Sequence, residues 1–128
     1  MRSEEEQKAL LERELLQREI QHVENEIIAL EKRKIELDIV LASIDEILKQ
    51  KGDETLVPIG SGVFVKGKLV NKNKVFVNVG ADVVIEKNVE EAKKIINAQR
   101  DEISKLQELL ENNLREFIKN VQQNTGRS

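Results

Sequence analysis

Apolar residues recur at alternating steps of four and three along the N-terminal part of the chain, which is the heptad pattern of a coiled-coil helix. Ser3 followed by Glu6 is a capping-box pattern at its start, and Gly52 suits the position after its end. The sequence therefore predicts a helix over residues 1–51, about 70 Å long at about 1.5 Å per residue. Its predicted seam consists of Leu16, Ile20, Val23, Ile27, Leu30, Lys34, Leu37, Leu41, Ile44 and Leu48.

The next segment, residues 52–87, loses this spacing and is dense in Val, Ile and Phe, with Gly, Pro and Asn as breaks. We call it the hub. Pro58 suits an edge or a strand end, and Gly67 suggests a bend or bulge. Two β-hairpins in series are predicted, with strands at 56–59, 63–70, 75–79 and 82–86 and turns at 60–62, 71–73 and 80–81.

Apolar residues occur on both faces of the predicted hairpins, since neighbouring strand residues point to opposite sides. Two hairpins alone cannot bury two faces, and their edges stay open. We therefore expect the hub to associate with identical or related hubs into a β-barrel body. The predicted oligomerisation residues are Val57, Ile59, Val63, Phe64, Val65, Leu69, Val75, Phe76, Val77, Val79, Val83, Val84 and Ile85.

A second helix is predicted over 88–123, capped by Asn88 with Glu90 and Glu91 in its first turn, followed by a flexible tail at 124–128. Both helices leave the same hub, so they can pair as an antiparallel coiled coil. The predicted fold class is α+β, two long helices joined by two hairpins. The seam of the second helix is predicted at Val89, Ala92, Ile96, Gln99, Ile103, Leu106, Leu110, Asn113, Phe117 and Asn120.

The polar residues Lys34, Asn113 and Asn120 fall in these predicted seams, which predicts looser pairing away from the hub. The first helix also overruns the second, so that Leu10, Leu11 and Leu15 would lack an intramolecular partner. The apolar residues of this distal part either are ordinary seam and flank positions or form an adaptable apolar surface, and the sequence favours neither. The candidates for binding are Leu10, Leu11, Leu15, Leu114, Phe117, Ile118 and Val121.

Composition narrows the possible functions of this 128-residue chain. Its net charge of −3 provides no basic excess for nucleic-acid binding. It has no cysteine, which excludes disulfides and thiolate metal sites and fits a reducing cytosol. No apolar run approaches the roughly 20 residues of a membrane helix, and the acidic N-terminus does not match a signal peptide. Charged residues make up 35% and aromatics 2%, which favours a coiled coil over a compact globule.

No catalytic constellation can be identified in the sequence. His22 is the only histidine and falls on the solvent side of the first seam, and the carboxylates are spread along helix surfaces. Gly60-Ser61-Gly62 lacks the following helix of a phosphate loop. The sequence therefore predicts neither enzyme activity, nor a cofactor, nor a bound metal.

The order helix, two hairpins, helix resembles the prefoldin family, specifically the alpha-type subunits of archaea. The matching residues are concentrated in the hub, where beta-type subunits have one hairpin only. They are Leu56-Val57-Pro58-Ile59-Gly60, Gly62, Phe64-Val65-Lys66-Gly67, Val79-Gly80-Ala81, Asn88 and Glu91-Ala92.

This resemblance implies a cytoplasmic, ATP-independent chaperone subunit. The family forms hexamers of two alpha and four beta subunits, whose coiled-coil tips hold non-native proteins and pass them to a group II chaperonin. Alpha-type relatives that form other oligomers or filaments also exist. The alternative reading is a structural coiled-coil adaptor whose helices dock a single folded partner.

Overall fold

The computed structural model describes residues 3–126 of the chain. Within that range two helices enclose four strands in sequence, as predicted. The residues group into two compact units, one formed by the N-terminal part of α1 with most of α2, and one formed by Leu37–Gln99. The elements are α1 (Glu4–Lys49), β1 (Glu54–Gly60), β2 (Val63–Lys68), β3 (Lys74–Asn78), β4 (Val84–Asn88) and α2 (Val89–Gly126).

The first hairpin pairs β1 with β2 antiparallel, with Val57 opposite Val65 and Pro58 opposite Phe64. A register shift between Pro58 and Gly60 places a bulge just before the turn. The turn itself has positive φ at Gly60, Ser61 and Gly62. Glycine adopts this backbone region without a steric penalty, which is why the Gly-Ser-Gly sequence turns here.

Strand β2 ends at Lys68, two residues before the predicted end at Val70. Lys68 is opposite Glu54, the first residue of β1, so beyond it β2 has no strand to pair with. Leu69 still donates its backbone N–H to the carbonyl of Asp53 at 2.7 Å. Val70 is fully exposed in the connection to the second hairpin.

The second hairpin pairs β3 with β4, with Val77 opposite Ile85 and Asn78 opposite Val84. Its turn is longer than the predicted Gly80-Ala81 pair, because Gly80, Ala81 and Asp82 all have positive φ. Residues in this conformation cannot continue a strand, so β4 begins at Val84 rather than at Asp82. The two hairpins form separate two-stranded sheets.

Local side-chain hydrogen bonds mark the predicted helix starts. Ser3 Oγ accepts a hydrogen bond from the Glu6 N–H at 3.2 Å. Asn88 Oδ1 accepts one from the Glu91 N–H at 2.8 Å, while the Asn88 amide donates to the Glu91 carboxylate at 3.2 Å. The predicted cap at Asn88 is confirmed, and at Ser3 the described hydrogen bonds show the serine half of the predicted capping box.

At the hub end of α1, Gly52 has a φ of 86°, as expected for a residue that follows a helix. Lys72 Nζ donates to the carbonyl of Gln50 at 2.6 Å, so a cation satisfies one of the last carbonyls. At the other end of the chain, α2 continues to Gly126, three residues past the predicted end. Arg127 and Ser128 of the predicted tail lie outside the described residues.

Candidate interaction surfaces

In the unit formed by residues up to 36 and from 100 onwards, α1 and α2 face one another along apolar seams. The α1 residues Leu16, Ile20, Val23, Ile27, Leu30 and Lys34 are half-buried or buried, which confirms the predicted seam for this part of α1. The α2 residues that are shielded are Arg100, Ile103, Ser104, Gln107, Leu110, Leu114, Phe117 and Val121.

From Gln99 onwards, every second residue of the predicted α2 seam is wrong. Gln99, Leu106, Asn113 and Asn120 are exposed, and the residue after each one takes its place in the seam. The cause is a stutter, in which two steps of four residues follow one another along the seam, from Ala92 to Ile96 and from Ile96 to Arg100. The later steps of three and four then alternate in the opposite order, which moves every second seam position by one. Such a shift is accommodated because a helix with about 3.6 residues per turn drifts from a strict heptad repeat.

This correction removes the basis for a loosely paired distal seam. Asn113 and Asn120 face solvent, and Leu114 and Val121 supply apolar contact instead. The sequence contained a signal for this shift at two positions. Choosing the apolar residue of each pair Asn113-Leu114 and Asn120-Val121, instead of keeping the strict heptad, gives the observed seam residues Leu114 and Val121. Lys34 is the predicted polar residue that does occupy the seam.

A polar cluster connects the two helices at Lys34. Buried Gln107 accepts a hydrogen bond from Lys34 Nζ at 3.5 Å and donates its Nε2 to Glu31 Oε2 at 2.8 Å. The amide therefore satisfies a cation and an anion at once, using its acceptor for one and its donor for the other. A polar seam residue of this kind specifies the register of the helix pair.

Replacing Gln107 with glutamate should destabilise the helix pair at neutral pH. A carboxylate oxygen would then replace the nitrogen that lies 2.8 Å from Glu31 Oε2. We expect a loss of about 1–2 kcal/mol, from one charge-assisted hydrogen bond and the repulsion that follows. Thermal unfolding followed by circular dichroism at neutral and acidic pH would measure it.

The double variant Gln107→Glu/Glu31→Gln is the control for this effect, because it restores a donor opposite a carboxylate. It should recover most of the lost stability. In a double-mutant cycle, such a recovery measures the direct coupling between the two side chains. A double variant no more stable than Gln107→Glu alone would show that the two side chains are not coupled.

In the Leu37–Gln99 unit, the helices pack through a short apolar core. Leu37, Ile44, Val89 and Ala92 are buried there, and Ile47 is more shielded than the predicted seam residue Leu48. Val89 directly follows β4, and its backbone N–H donates to the carbonyl of Asn73 at 2.9 Å, so we call this core the base of the hairpins.

Asp45 and Lys93 form an ion pair across this base, with 2.6 Å between Asp45 Oδ1 and Lys93 Nζ. Their hydrogen bond lowers the pKa of Asp45 and raises the pKa of Lys93. The pair stabilises the fold at neutral pH. This contribution is lost as the pH falls through the lowered pKa of Asp45 or rises through the raised pKa of Lys93. Both groups are partly exposed, so the effect is small.

The hairpins leave most of their apolar side chains uncovered, on both faces of the first hairpin. Val57 and Val65 lie on one face, and Phe64 lies on the other. A Cβ at Gly67 would be 3.2 Å from a Val57 methyl, so the glycine leaves room for that side chain. Of the predicted oligomerisation residues, Leu69, Val75 and Val77 are half-buried and all the others are exposed.

Exposed apolar residues outside the prediction enlarge this surface and add others. Leu56 extends the hairpin face that contains Phe64, while Ile28, Ile35 and Ile39 are exposed on α1 and Leu109 on α2. The exposure of these helix residues could have been predicted from their positions in the sequence. An apolar residue that lies outside the heptad seam of a charged helix has no partner on the neighbouring helix.

The structure divides the candidate binding residues into two groups. Leu114, Phe117 and Val121 lie in the seam and are half-buried, and Leu10 is also half-buried. Leu11, Leu15 and Ile118 are exposed. The exposed residues are available to a partner directly, whereas the seam residues become available only where the two helices separate.

The described residues provide little chemistry besides these surfaces. His22 Nε2 lies 2.8 Å from Glu26 Oε1 on the exposed side of α1. Among residues 3–126, no three or more acidic or histidine side chains are placed to hold a metal ion. Neither described helix is long and apolar enough to cross a membrane.

Comparisons with known proteins agree on one family. The family model for a prefoldin subunit matches residues 16–125. The chain is 30% identical over 111 residues to a prefoldin subunit alpha from Thermofilum pendens, which covers 86% of this chain and 81% of the relative. It is 31% identical over 119 residues to a prefoldin subunit alpha from Methanococcus vannielii, covering 93% and 80%.

A solved structure has the same fold over almost the whole chain. The chain is similar to a chain in the cryo-EM structure of filamentous PFD from Methanocaldococcus jannaschii, with a TM-score of 0.79 and 25% identity. The match covers 91% of this chain and 97% of the other.

Proposed function

Because this chain belongs to the prefoldin family, as an alpha-type subunit, we propose that it captures non-native proteins without ATP and delivers them to a group II chaperonin. Prefoldin subunits are chaperone components, and capture by this chain is the step that we propose. The observation that carries the proposal is that exposed apolar side chains are concentrated on the hairpins and recur along α1, including Leu11 and Leu15 near its start. Exposed apolar surface of this kind marks sites of protein interaction.

The hairpin surface is proposed as the assembly site. Its residues are apolar on both faces of the first hairpin, and both hairpins have open edges. Main-chain pairing at those edges and burial of the faces would together join subunits into a barrel. The proposed partners are beta-type subunits, with two alpha and four beta subunits in the complex, in the cytoplasm.

Self-association of this chain is the other assembly to be tested, since the solved structure to which it is similar is of filamentous PFD. Native mass spectrometry with and without a beta-type subunit distinguishes the two. A mixed hexamer supports the first assembly. A long series of homo-oligomers in the presence of the beta-type subunit supports the second.

The arm end is proposed as the client site, by which we mean residues 3–26, which are Ser3 and the first part of α1, together with residues 111–126 of α2. Leu11, Leu15 and Ile118 present exposed apolar surface there. Each contact with an unfolded chain would be weak. Several arms that hold one client would multiply the weak contacts through their effective concentration.

The test of this function is aggregation of two unrelated denatured proteins, followed by light scattering without nucleotide. We expect the assembled protein to suppress aggregation of both, and to transfer bound client to a group II chaperonin added afterwards. Protection of neither, together with saturable binding of one folded partner, would instead identify a structural adaptor.

A further inference from the structure

The negative charge of this protein is concentrated at the arm end. Residues 3–26 contain eight carboxylates and three bases, a net charge of −5. Residues 27–126 contain sixteen acidic and sixteen basic residues and are neutral. Residues 111–126 of α2, with two of each, do not offset the excess. The first part of α1 therefore carries the whole negative excess of residues 3–126, which Arg2 and Arg127 reduce to the −3 of the full sequence.

Helix-end electrostatics explain only part of this charge. Glu4, Glu5 and Glu6 occupy the first turn of α1, where carboxylates complement the helix dipole. Glu12, Glu14 and Glu19 lie too far along the helix for that effect, which fades after the first turn. No ion pair among residues 3–126 involves these three side chains, and all three are exposed.

The same carboxylates border the exposed apolar surface. Glu12 follows Leu11 in sequence, and Glu19 lies one turn beyond Leu15. Glu12, Leu15 and Glu19 also line a groove of about 710 Å³, whose other lining residues are Leu16, Arg18, Asn120 and Gln123. The groove thus presents apolar side chains together with two carboxylates and one cation, a net negative charge.

We propose that the arm end selects non-native segments that are both apolar and positively charged. This inference rests on the proposed client-binding function and adds its specificity. A segment with lysine or arginine between apolar residues would place its cations among the carboxylates while its apolar side chains cover Leu11 and Leu15. An acidic segment of equal hydrophobicity would be repelled.

Screening limits the reach of this selection to about 8 Å at physiological salt, so only charges within or next to the bound segment contribute. A single exposed ion pair is weak. Several pairs on each of several arms add together, and the approach of a cationic segment is accelerated by the local field. We therefore expect a preference of about tenfold in dissociation constant for cationic over acidic segments, declining as salt is raised.

Three fluorescent peptides of equal length, with Leu and Phe at identical positions and lysine, glutamate or glutamine between them, test the proposal. Fluorescence anisotropy with the assembled full-length protein should rank them lysine, glutamine, glutamate in affinity. The variant Glu12→Gln/Glu14→Gln/Glu19→Gln should lose most of the difference while binding the glutamine peptide as before. Glutamine has nearly the helix propensity of glutamate, so α1 should be retained.

The matched control, Glu46→Gln/Glu102→Gln/Glu108→Gln, removes the same charge from exposed positions outside the arm end. It should keep the wild-type ranking. Equal binding of all three peptides to the wild type would overturn the charge selection alone. If the control variant lost as much selectivity as the arm-end variant, the proposal would also be overturned. The net charge of the whole protein, and not the arm end, would then cause the preference for cationic peptides. Failure of every peptide to bind would overturn the client-binding function as well.

Discussion

Replacing Val65 with lysine should break the assembled protein into dissociated subunits. Val65 is exposed in the single chain and lies opposite Val57 in the middle of the first hairpin. In an assembled barrel it would be covered by a neighbouring hub. The lysine would remove the apolar contact and place a charge in the interface. We expect the subunit dissociation constant to rise by about 100-fold or more.

Sedimentation velocity and native mass spectrometry would measure this dissociation. The matched control is Val40→Lys on α1, because Val40 is exposed by 43% and Val65 by 46%. The control should assemble like the wild type. If Val65→Lys still assembles, or if Val40→Lys dissociates equally, the hairpin faces are not the assembly site.

Removing the arm end should abolish protection against aggregation and leave assembly intact. The deletion of Met1 to Leu16 together with Glu111 to Ser128 takes away Leu11, Leu15 and Ile118, the exposed candidates for client binding. The hairpins belong to the Leu37–Gln99 unit, which the deletion does not touch. We expect aggregation of a denatured client to proceed as it does without chaperone, while native mass spectrometry detects the same oligomer.

A pair of substitution variants tests the same surface without shortening the helices. Leu11→Gln/Leu15→Gln should weaken protection several-fold, since each change removes an apolar side chain worth about 2 kcal/mol when buried against a client. The control is Ile35→Gln/Ile39→Gln. Leu11 and Leu15 are exposed by 56% and 52%, and Ile35 and Ile39, with the same i,i+4 spacing, by 49% and 59%. If only the control lost activity, the client site would lie on the middle of α1 instead.

The sequence predicted the structure most accurately where a pattern depends only on residues that are close together in the chain. The alternation of three and four along α1 identified the residues from Leu16 to Lys34 that the structure shields. Ser3 and Asn88 marked the helix starts because their side chains bond to the N–H three residues ahead, whatever the rest of the chain does. Glycine marked the turn within each hairpin, and Asn71 and Asn73 marked the connection between the hairpins, for equally local reasons.

The interpretation was wrong where two local patterns were both acceptable. A strict heptad put Asn113 and Asn120 in the α2 seam, whereas a single stutter puts Leu114 and Val121 there. One residue along a helix is a rotation of about 100°, so this choice decides which face meets the partner. The polar cluster at Gln107 followed from the same rotation and was missed with it. The second hairpin turn was also misjudged, because nothing in Ala81-Asp82 predicts two left-handed residues in a row.

The sequence by itself determined that this chain forms two amphipathic helices joined by two hairpins that are apolar on both faces, since those features depend on residue spacing along the chain. Only the tertiary structure decided which α2 residues contact α1, that Gln107 links Lys34 to Glu31, and that Leu10 and Leu114 are half-buried. The physical reason is that a helix face becomes a seam or a surface only through the position of its partner, and spacing alone leaves that rotation open.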